Sequence, residues 1–496
     1  MKIKRIISFF LIISIACLPI LSACGGKSDN GNSSNTTSAG DAQDTAPAST
    51  TDPKEQYDPK LAAVDMQGYV FTIGTRDDST HNYPAHTRDL YAEQENGDLI
   101  NDAVYKRNTA IEDKYNCTIK MQSYNETTDE TAANKVVAKS VKAGDYSFDL
   151  LMTHMIDGAN DAANGNFYDL EQFPNVDLSK PYWNQGATYG CSIGNKLLEG
   201  LSDLSFSSNE NVYCMFFNKQ LLQNYGVENP YQLVKDNQWT FDKFNDIIKV
   251  GTADLNGDGI MDKNDQYGYI SSCAMNFLWA GGSHIMTKDT GDIPALDFNT
   301  QQTVNIFNKA YDITNNEYTF AVEEWFQDPA IQMFSNGQGV FYSSQLCRVN
   351  DLRAVNFDFG IVPYPKYDSS QDRYYSYVDG HASMMAIPLC LPHPEWTGMI
   401  IEDMSYLAYK DILPTYYDVV LNVKMVRDQE SVDMLQILFD SKTIDPGYVW
   451  GSWDFWYIFI DCIFKKQNDF VSAYEKKEKA SMTAIQKKID AVLALQ

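Results

Sequence analysis

The chain has 496 residues, is 44% hydrophobic and 13% aromatic, and carries a net charge of −27 at pH 7. That length allows two or three domains, the apolar content excludes a disordered protein, and 29 Gly with 17 Pro exclude a collagen-like one. Residues 1–23 hold the basic trio Lys2, Lys4 and Arg5, and residues 24–60 hold three Lys against six Asp or Glu, so the acidity belongs to the body of the chain. Such a field repels a phosphate backbone, which argues against nucleic acid as a partner.

In chain order, the first element is a targeting segment. Lys2, Lys4 and Arg5 form a basic start, and Ile6 to Ile20 is an almost unbroken apolar run. A membrane span needs about 20 apolar residues, so this shorter run suits a signal peptide over residues 1–23. It ends in Leu21-Ser22-Ala23-Cys24-Gly25, which resembles a bacterial lipobox, with Cys24 as the residue that takes a diacylglyceryl group. The alternative is an ordinary signal peptide with a chance cysteine. Residues 24–57 are rich in Gly, Ser, Thr, Asn and Asp and bury nothing, so they read as a flexible tether. About 33 residues of such chain reach roughly 30 Å. The expected address is therefore the outer face of a membrane, held there by lipid.

Beyond the tether the pattern alternates. Tyr69–Ile73 reads as a strand, Ile100, Val104, Asn108, Ile111 and Tyr115 recur at helical spacing, and Cys117–Met121 is again strand-like. A helix through Ala132, Val136 and Val137 closes at Gly144, and Phe148–Met152 reads as a buried strand. This β-α-β-α-β order predicts a parallel sheet covered by helices, hence an α/β fold. A second start appears at Tyr213–Phe217, and an amphipathic helix runs from Phe470 through Tyr474, Ile485, Ile489 and Val492. Seven cysteines remain after Cys17 and Cys24. They are widely spaced without a C-x-x-C, which reads as buried thiols.

Three local patterns bear on chemistry. Asp254, Asn256, Asp258, Asp262 and Asp265 place oxygen ligands at loop positions 1, 3, 5, 9 and 12, with Gly259 at position 6 and the Ile260 carbonyl at position 7. Calcium takes six or more hard oxygen ligands, and this alternation aims them inward, so a structural Ca2+ is expected. The alternative is an acidic surface turn. Catalytic patterns are weak: no G-x-S-x-G, H-E-x-x-H or phosphate loop occurs, and the six His (His81, His86, His154, His284, His381, His393) form no i, i+4 pair. Glu323-Glu324 supplies at most one acid of a glycosidase pair. Lastly, Tyr448, Trp450, Trp453, Phe455, Trp456 and Tyr457 crowd six rings into ten residues. Flat rings stack on sugars, and the alternative is a buried aromatic helix start.

Several phrases in order resemble the carbohydrate (maltose-binding-like) type of bacterial extracellular solute-binding protein, the lipoprotein receptor of an ABC importer. They are Ala110–Asn116, Lys142–Asp145 before Phe148-Asp149-Leu150, Tyr213–Leu222 followed by Gly226, Pro230 and Trp239–Asp242, then Phe334–Val340, Phe359–Pro365 and Ala386–Pro388. Departures occur at Phe217, at Gln338-Gly339 and in a long Thr75–Asp98 segment; they bear on the ligand, not on the fold.

The resemblance implies a two-lobe, type II periplasmic-binding-protein-like fold joined by three crossings, near 204–212, 376–382 and 426–432. Lobe one is expected over 58–205 plus 382–427, and lobe two over 206–381 plus 428–496. Ligand would sit between the lobes, and closure would present it to the permease. Carried over by position, Trp456, with Trp453 and Tyr457 beside it, would stack on ligand. Asn211, Trp279, Arg348, Asp379 and His154 would face the cleft. The expected protein is a monomeric, non-catalytic receptor delivering a sugar or oligosaccharide to an ABC transporter. The alternatives are a surface glycoside hydrolase, or a binder or sensor of a peptide on the same scaffold.

Overall fold

The computed structural model describes residues 52–76, 87–124, 131–322, 329–421, 429–451 and 453–495. The fold below is that of Pro53–Gln496. Cys24 and the signal segment lie outside the described residues. The last five residues of the expected tether do not hang free. Pro53–Tyr57 is a 3-10 turn in which Lys54 donates to the Tyr409 carbonyl at 2.7 Å and lies 4.5 Å over the Tyr409 ring. A carbonyl and an aromatic face together hold one ammonium, which offsets the entropy of ordering the turn.

The strands are β1 (Tyr69–Arg76), β2 (Cys117–Tyr124), β3 (Leu150–His154), β4 (Tyr213–Asn218), β5 (Tyr267–Ser271), β6 (Met286–Lys288) and β7 (Pro294–Leu296). They continue with β8 (Thr319–Ala321), β9 (Gly339–Gln345), β10 (Phe359–Val362), β11 (Ser376–Tyr377), β12 (Ser383–Ala386) and β13 (Lys442–Thr443). Two sheets dominate, one ordered β12-β3-β1-β2 and the other β10-β4-β9-β5-β8. In the first, β1 pairs in parallel with β2 (Tyr69↔Cys117) and with β3 (Ile73↔Leu150), as the β-α-β-α-β pattern predicts. The crossover helices Leu99–Tyr115 and Ala132–Ala143 end where left-handed residues stop them, Asn116 at φ 48 and Gly144 at φ 70. Asp98 caps the first of these helices by accepting from the amides of Ile100 and Asn101.

The third strand starts two residues later than its apolar run. Asp149 is buried, and its carboxylate accepts from the Tyr69 hydroxyl at 2.5 Å, the Thr72 amide at 2.7 Å and the Tyr146 hydroxyl at 2.8 Å. The Asp149 amide still donates to the Thr72 carbonyl at 2.9 Å, while the Thr72 amide turns to the Asp149 carboxylate instead of a backbone carbonyl. Phe148 fills the space over Gly74, where an added Cβ would lie 2.5 Å from its ring.

The chain leaves the first sheet through Leu204–Val212, builds the second sheet from β4 to β10, and returns through β11 to β12, which pairs antiparallel to β3 with Ser383 opposite His154. Helices Pro394–Leu407 and Leu413–Leu421 then pack on Leu99–Tyr115. Buried Glu402 receives the Tyr182 hydroxyl and the Trp183 indole, while Asp403 receives Lys114 and the Tyr115 hydroxyl. Of the expected third crossing at 426–432, residues 422–428 lie outside the described residues. From 429 the chain is already the helix Gln429–Asp440, packed on β10, with Ser431 hydrogen-bonded to Tyr231. It leads into β13, which runs parallel to β11 (Ser376↔Lys442). The C-terminal helix Phe470–Leu493 packs both on Gln301–Thr314 and on Met155–Ala163, so it contacts elements of both sheets' sides. The seven cysteines of the body are free thiols, six of them buried.

Candidate ligand-binding site

The two described crossings meet side by side. Val212 bridges Val378, and the Asp379 amide donates to the Asn211 carbonyl at 3.0 Å. Gly380 follows with no room for a side chain: a Cβ there would lie 2.8 Å from the Tyr448 hydroxyl and 3.2 Å from His154 Cε1. Its amide donates to that hydroxyl, and its carbonyl accepts from the Met155 amide. Backbone of the second crossing is therefore clamped between β3's end and the helix Pro446–Val449.

Around this clamp sits a polar group of three side chains. His381 Nδ1 lies 2.6 Å from Asp379 Oδ1, and the Tyr213 hydroxyl donates to Asp379 Oδ2 at 3.2 Å. Burial pushes the Asp379 carboxyl up, but the charge and hydrogen bonds of His381 outweigh it and hold the carboxyl below its ordinary value. His154 ends β3 and caps the next helix, its Nδ1 accepting from the Ile156 amide at 3.3 Å. Its ring meets that of His381 edge-on, 4.8 Å between centres. The β3–β12 register makes this contact, since pairing His154 with Ser383 brings His381 alongside. Two histidines that are scattered in sequence thus share one site.

A continuous run of rings adjoins them. Tyr213 stacks on Tyr377 at 5.5 Å, and Tyr377 stacks on Trp279 at 4.0 Å with planes 7° apart. Tyr448 stands edge-on to Tyr377 and Trp279, Trp456 lies 6.0 Å from Tyr448, and Tyr457 lies 5.0 Å from Trp456. Beneath them Asp445, fully buried, accepts from the Trp279 indole at 2.8 Å and from the amides of Ile285, Met286 and Gly447. Four donors on one carboxylate fix the Trp279 plane and the start of Pro446–Val449.

The structure therefore gathers His154, Asp379, Trp279 and Trp456 into one cluster. Tyr457 lies at its edge, 42% exposed. Asn211 joins through its backbone; its side-chain amide donates to Ser207 O, and its Oδ1 is buried with no partner. Nearby Gln345, opposite Tyr213 in the β4–β9 pair, has its Nε2 buried without a partner. One acceptor and one donor are therefore left buried and unpaired beside the crossings. Arg348 lies on the 3-10 segment Leu346–Ala354, whose Leu346 and Cys347 amides donate to the Val212 and Glu210 carbonyls of the first crossing, and its guanidinium donates to Asp351 at 3.1 Å. Trp453 opens the helix Trp453–Phe464, and its side chain lies outside the described residues, as do Glu323 and Glu324. The cluster also holds Tyr377, His381 and Asp445, which sequence reasoning did not single out, since isolated polar and aromatic residues give no periodic signal.

The carboxylate oxygens of the acidic loop bond to the loop's own amides. Asp254 accepts from the amides of Gly257 and Gly259, Asp258 from Ile260, and the buried Asp265 from Leu255 and Asp262. Asn256 accepts from Asp258, and Asp262 from Asn264. Among the described residues no three Asp, Glu, His or Cys side chains converge as a metal ion requires. Each carboxylate oxygen retains a second lone pair, so the donor chemistry suits calcium while the side chains stand apart.

The model of one family, bacterial extracellular solute-binding proteins, matches residues 106–395. No curated protein sequence matches this one. Among solved structures, the cyclic alpha-maltosyl-1,6-maltose binding protein from Arthrobacter globiformis superposes with a TM-score of 0.54 at 15% identity, covering 86% of this chain and 99% of that one. An ABC substrate-binding protein from Listeria monocytogenes in complex with cycloalternan gives 0.51 at 13%, covering 86% and 100%. The maltose/maltodextrin-binding domain from Bdellovibrio bacteriovorus bound to maltotriose gives 0.50 at 12%, covering 86% and 98%. At these identities the likeness is one of fold, the two-lobe type II architecture. Among the described residues no helix is long and apolar enough to cross a membrane. With more than half its length matched by that family model, the chain belongs to the bacterial extracellular solute-binding proteins.

Proposed function

We propose that this protein is a lipid-anchored receptor that captures a sugar or oligosaccharide between its lobes and delivers it to an ABC importer, without catalysis. The observation that carries the reading is the hinge cluster. Stacked Tyr213, Tyr377 and Trp279 stand beside Tyr448 and Trp456, with Asp379 and two imidazoles at one end. Packed as they are here, Tyr213, Tyr377, Trp279, Tyr448 and Trp456 are buried, so a sugar meets ring faces only where parting of the lobes uncovers them, and carboxylate, imidazole and amide then take hydroxyls. The sugars named for the fold neighbours agree with this chemistry. Transport needs a ligand that binds the closed state better than the open one, not a reacting group. Cys24 and residues 24–52 supply the anchor and the tether in this reading.

A screen of mono- and oligosaccharides by intrinsic tryptophan fluorescence and thermal shift tests it. At least one sugar is expected to move both signals, and Trp456→Ala to remove both. A panel of sugars that moves neither signal, or turnover of a chromogenic glycoside by the pure protein, sinks the proposal. We further propose a structural Ca2+ held by Asp254, Asn256, Asp258, Ile260, Asp262 and Asp265, supported by their spacing. Chelator should then lower the melting temperature and added calcium restore it, with Asp258→Asn blunting the response. A melting temperature indifferent to chelator removes the metal from the account.

A further inference from the structure

Beside the hinge cluster lies a separate open cavity of about 540 Å3 on the side of the second sheet. Its floor is Gly281-Gly282, just after Trp279, and its walls include Tyr367 and Tyr375, Asp368 and Asp372, and Gln302 and Asn305. Gly282 has φ +77, and a Cβ there would lie 3.5 Å from the Tyr375 ring and 3.7 Å from Gln302 Nε2. A side chain at this position would occupy the cavity, and glycine leaves it open. The volume falls in the range of small-molecule sites.

The walls are held in place. Gln371 donates to the carbonyls of Ala280 and Arg373 and accepts from the Tyr367 amide, and Gln302 donates to the Gly281 carbonyl. Lys309 lies 4.4 Å over the Tyr367 ring and Arg373 4.7 Å over the Tyr375 ring, and neither cation belongs to the lining. Hydrogen bonds from Ser370 hold Asp368 below its ordinary pKa, so it is ionised at neutral pH.

The lining selects by exclusion. It has no aliphatic side chain, so an acyl chain gains little there. It has no basic residue and two carboxylates, so phosphate or carboxylate ligands are repelled. Two aromatic rings set among amides and carboxylates suit a neutral molecule with alternating C–H and hydroxyl surface. We propose that this cavity is a second saccharide site, separate from the cleft, that takes one or two sugar rings. The chemical class follows the sugar reading of the protein, but the site does not depend on the hinge cluster.

Fluorotyrosine-labelled full-length protein tests this by fluorine NMR, with the Tyr367 and Tyr375 signals assigned from Tyr→Phe variants. The probes are glucose, maltotriose, cellotriose, xylotriose and spermidine. Expected is a saturable shift of both signals by at least one saccharide at millimolar Kd, in the wild type and in Trp456→Ala alike. Asn305→Ala, an exposed change that spares the fold, should raise that Kd on the order of tenfold. No shift by any saccharide, a shift lost in Trp456→Ala, or a response to spermidine alone overturns the proposal. A failure of the cleft reading leaves this signal in place, so the two outcomes separate.

Discussion

Trp279 shows how one side chain serves the hinge. Its ring is fully buried, one face lies on Tyr377, and its indole N–H ends on Asp445. Trp279→Phe keeps most of the apolar contact and deletes that donor from a buried carboxylate. Losing a hydrogen bond to a buried charge costs about 1–3 kcal/mol. Urea unfolding should show the unfolding free energy lowered by that amount, read as a lower midpoint at unchanged slope, and an unchanged midpoint would mean Asp445 is satisfied without it. Glu402 makes a pH-dependent case. Burial raises its pKa to about 7, against hydrogen bonds from Tyr182 and Trp183 that lower it. Its folded value exceeds its unfolded one, so ionisation burdens the folded state. That burden is absent below the unfolded value of about 4.3 and grows as pH rises toward the folded one. Glu402→Gln has no such proton to lose. Wild type should therefore lose stability relative to Glu402→Gln between about pH 5 and pH 7, and a constant gap across that range would refute the assignment.

At the scale of elements, close backbone approach decides where helices sit. Gly398 lies on the helix Pro394–Leu407, and a Cβ there would fall 1.8 Å from the Pro174 carbonyl oxygen. Only displacement of the helix from that loop makes room. Gly398→Ala should cost about 1–3 kcal/mol by overpacking, read as a lower melting temperature with helix content retained. A variant as stable as wild type would show that the loop yields freely. The pairing of β11 with β13 has a different role. It sets residues 376–377 against 442–443, so the segment after Gln429–Asp440 runs beside the second crossing. Lys442 is tied by its ammonium to Asn209 of the first.

For the whole molecule, the relevant quantity is the difference in affinity between open and closed arrangements. A ligand that binds the folded protein alone stabilises it by about 2.7 kcal/mol at a hundredfold excess over Kd. The thermal shift expected from the right sugar is therefore several degrees for a domain of a few hundred residues, and its loss in Trp456→Ala is the global counterpart of the local contact. The acidity of the body fits a solvated surface and gives no specific partner.

The local elements were legible before any coordinates. Apolar residues at strand or helix spacing marked Tyr69–Arg76, Leu99–Tyr115, Cys117–Tyr124 and Phe470–Leu493, because each buries one face against neighbours and so must repeat with its own period. The family phrases were legible for the same reason, since they lie in such elements. Trp456, Asp379 and His154 were expected in the cleft by position within them, and the structure brings them into one cluster. What only the tertiary structure decided is the assembly of the site. Tyr213, Trp279, Tyr377, His381, Asp445 and Tyr448 come from distant segments, and no spacing along the chain encodes their contact. The antiparallel register of β12 on β3 brings the two imidazoles together, and the parallel run of β13 beside β11 leads into Asp445 under Trp279. Side-chain periodicity is a property of one segment, whereas a binding site at a hinge is a property of how several segments cross.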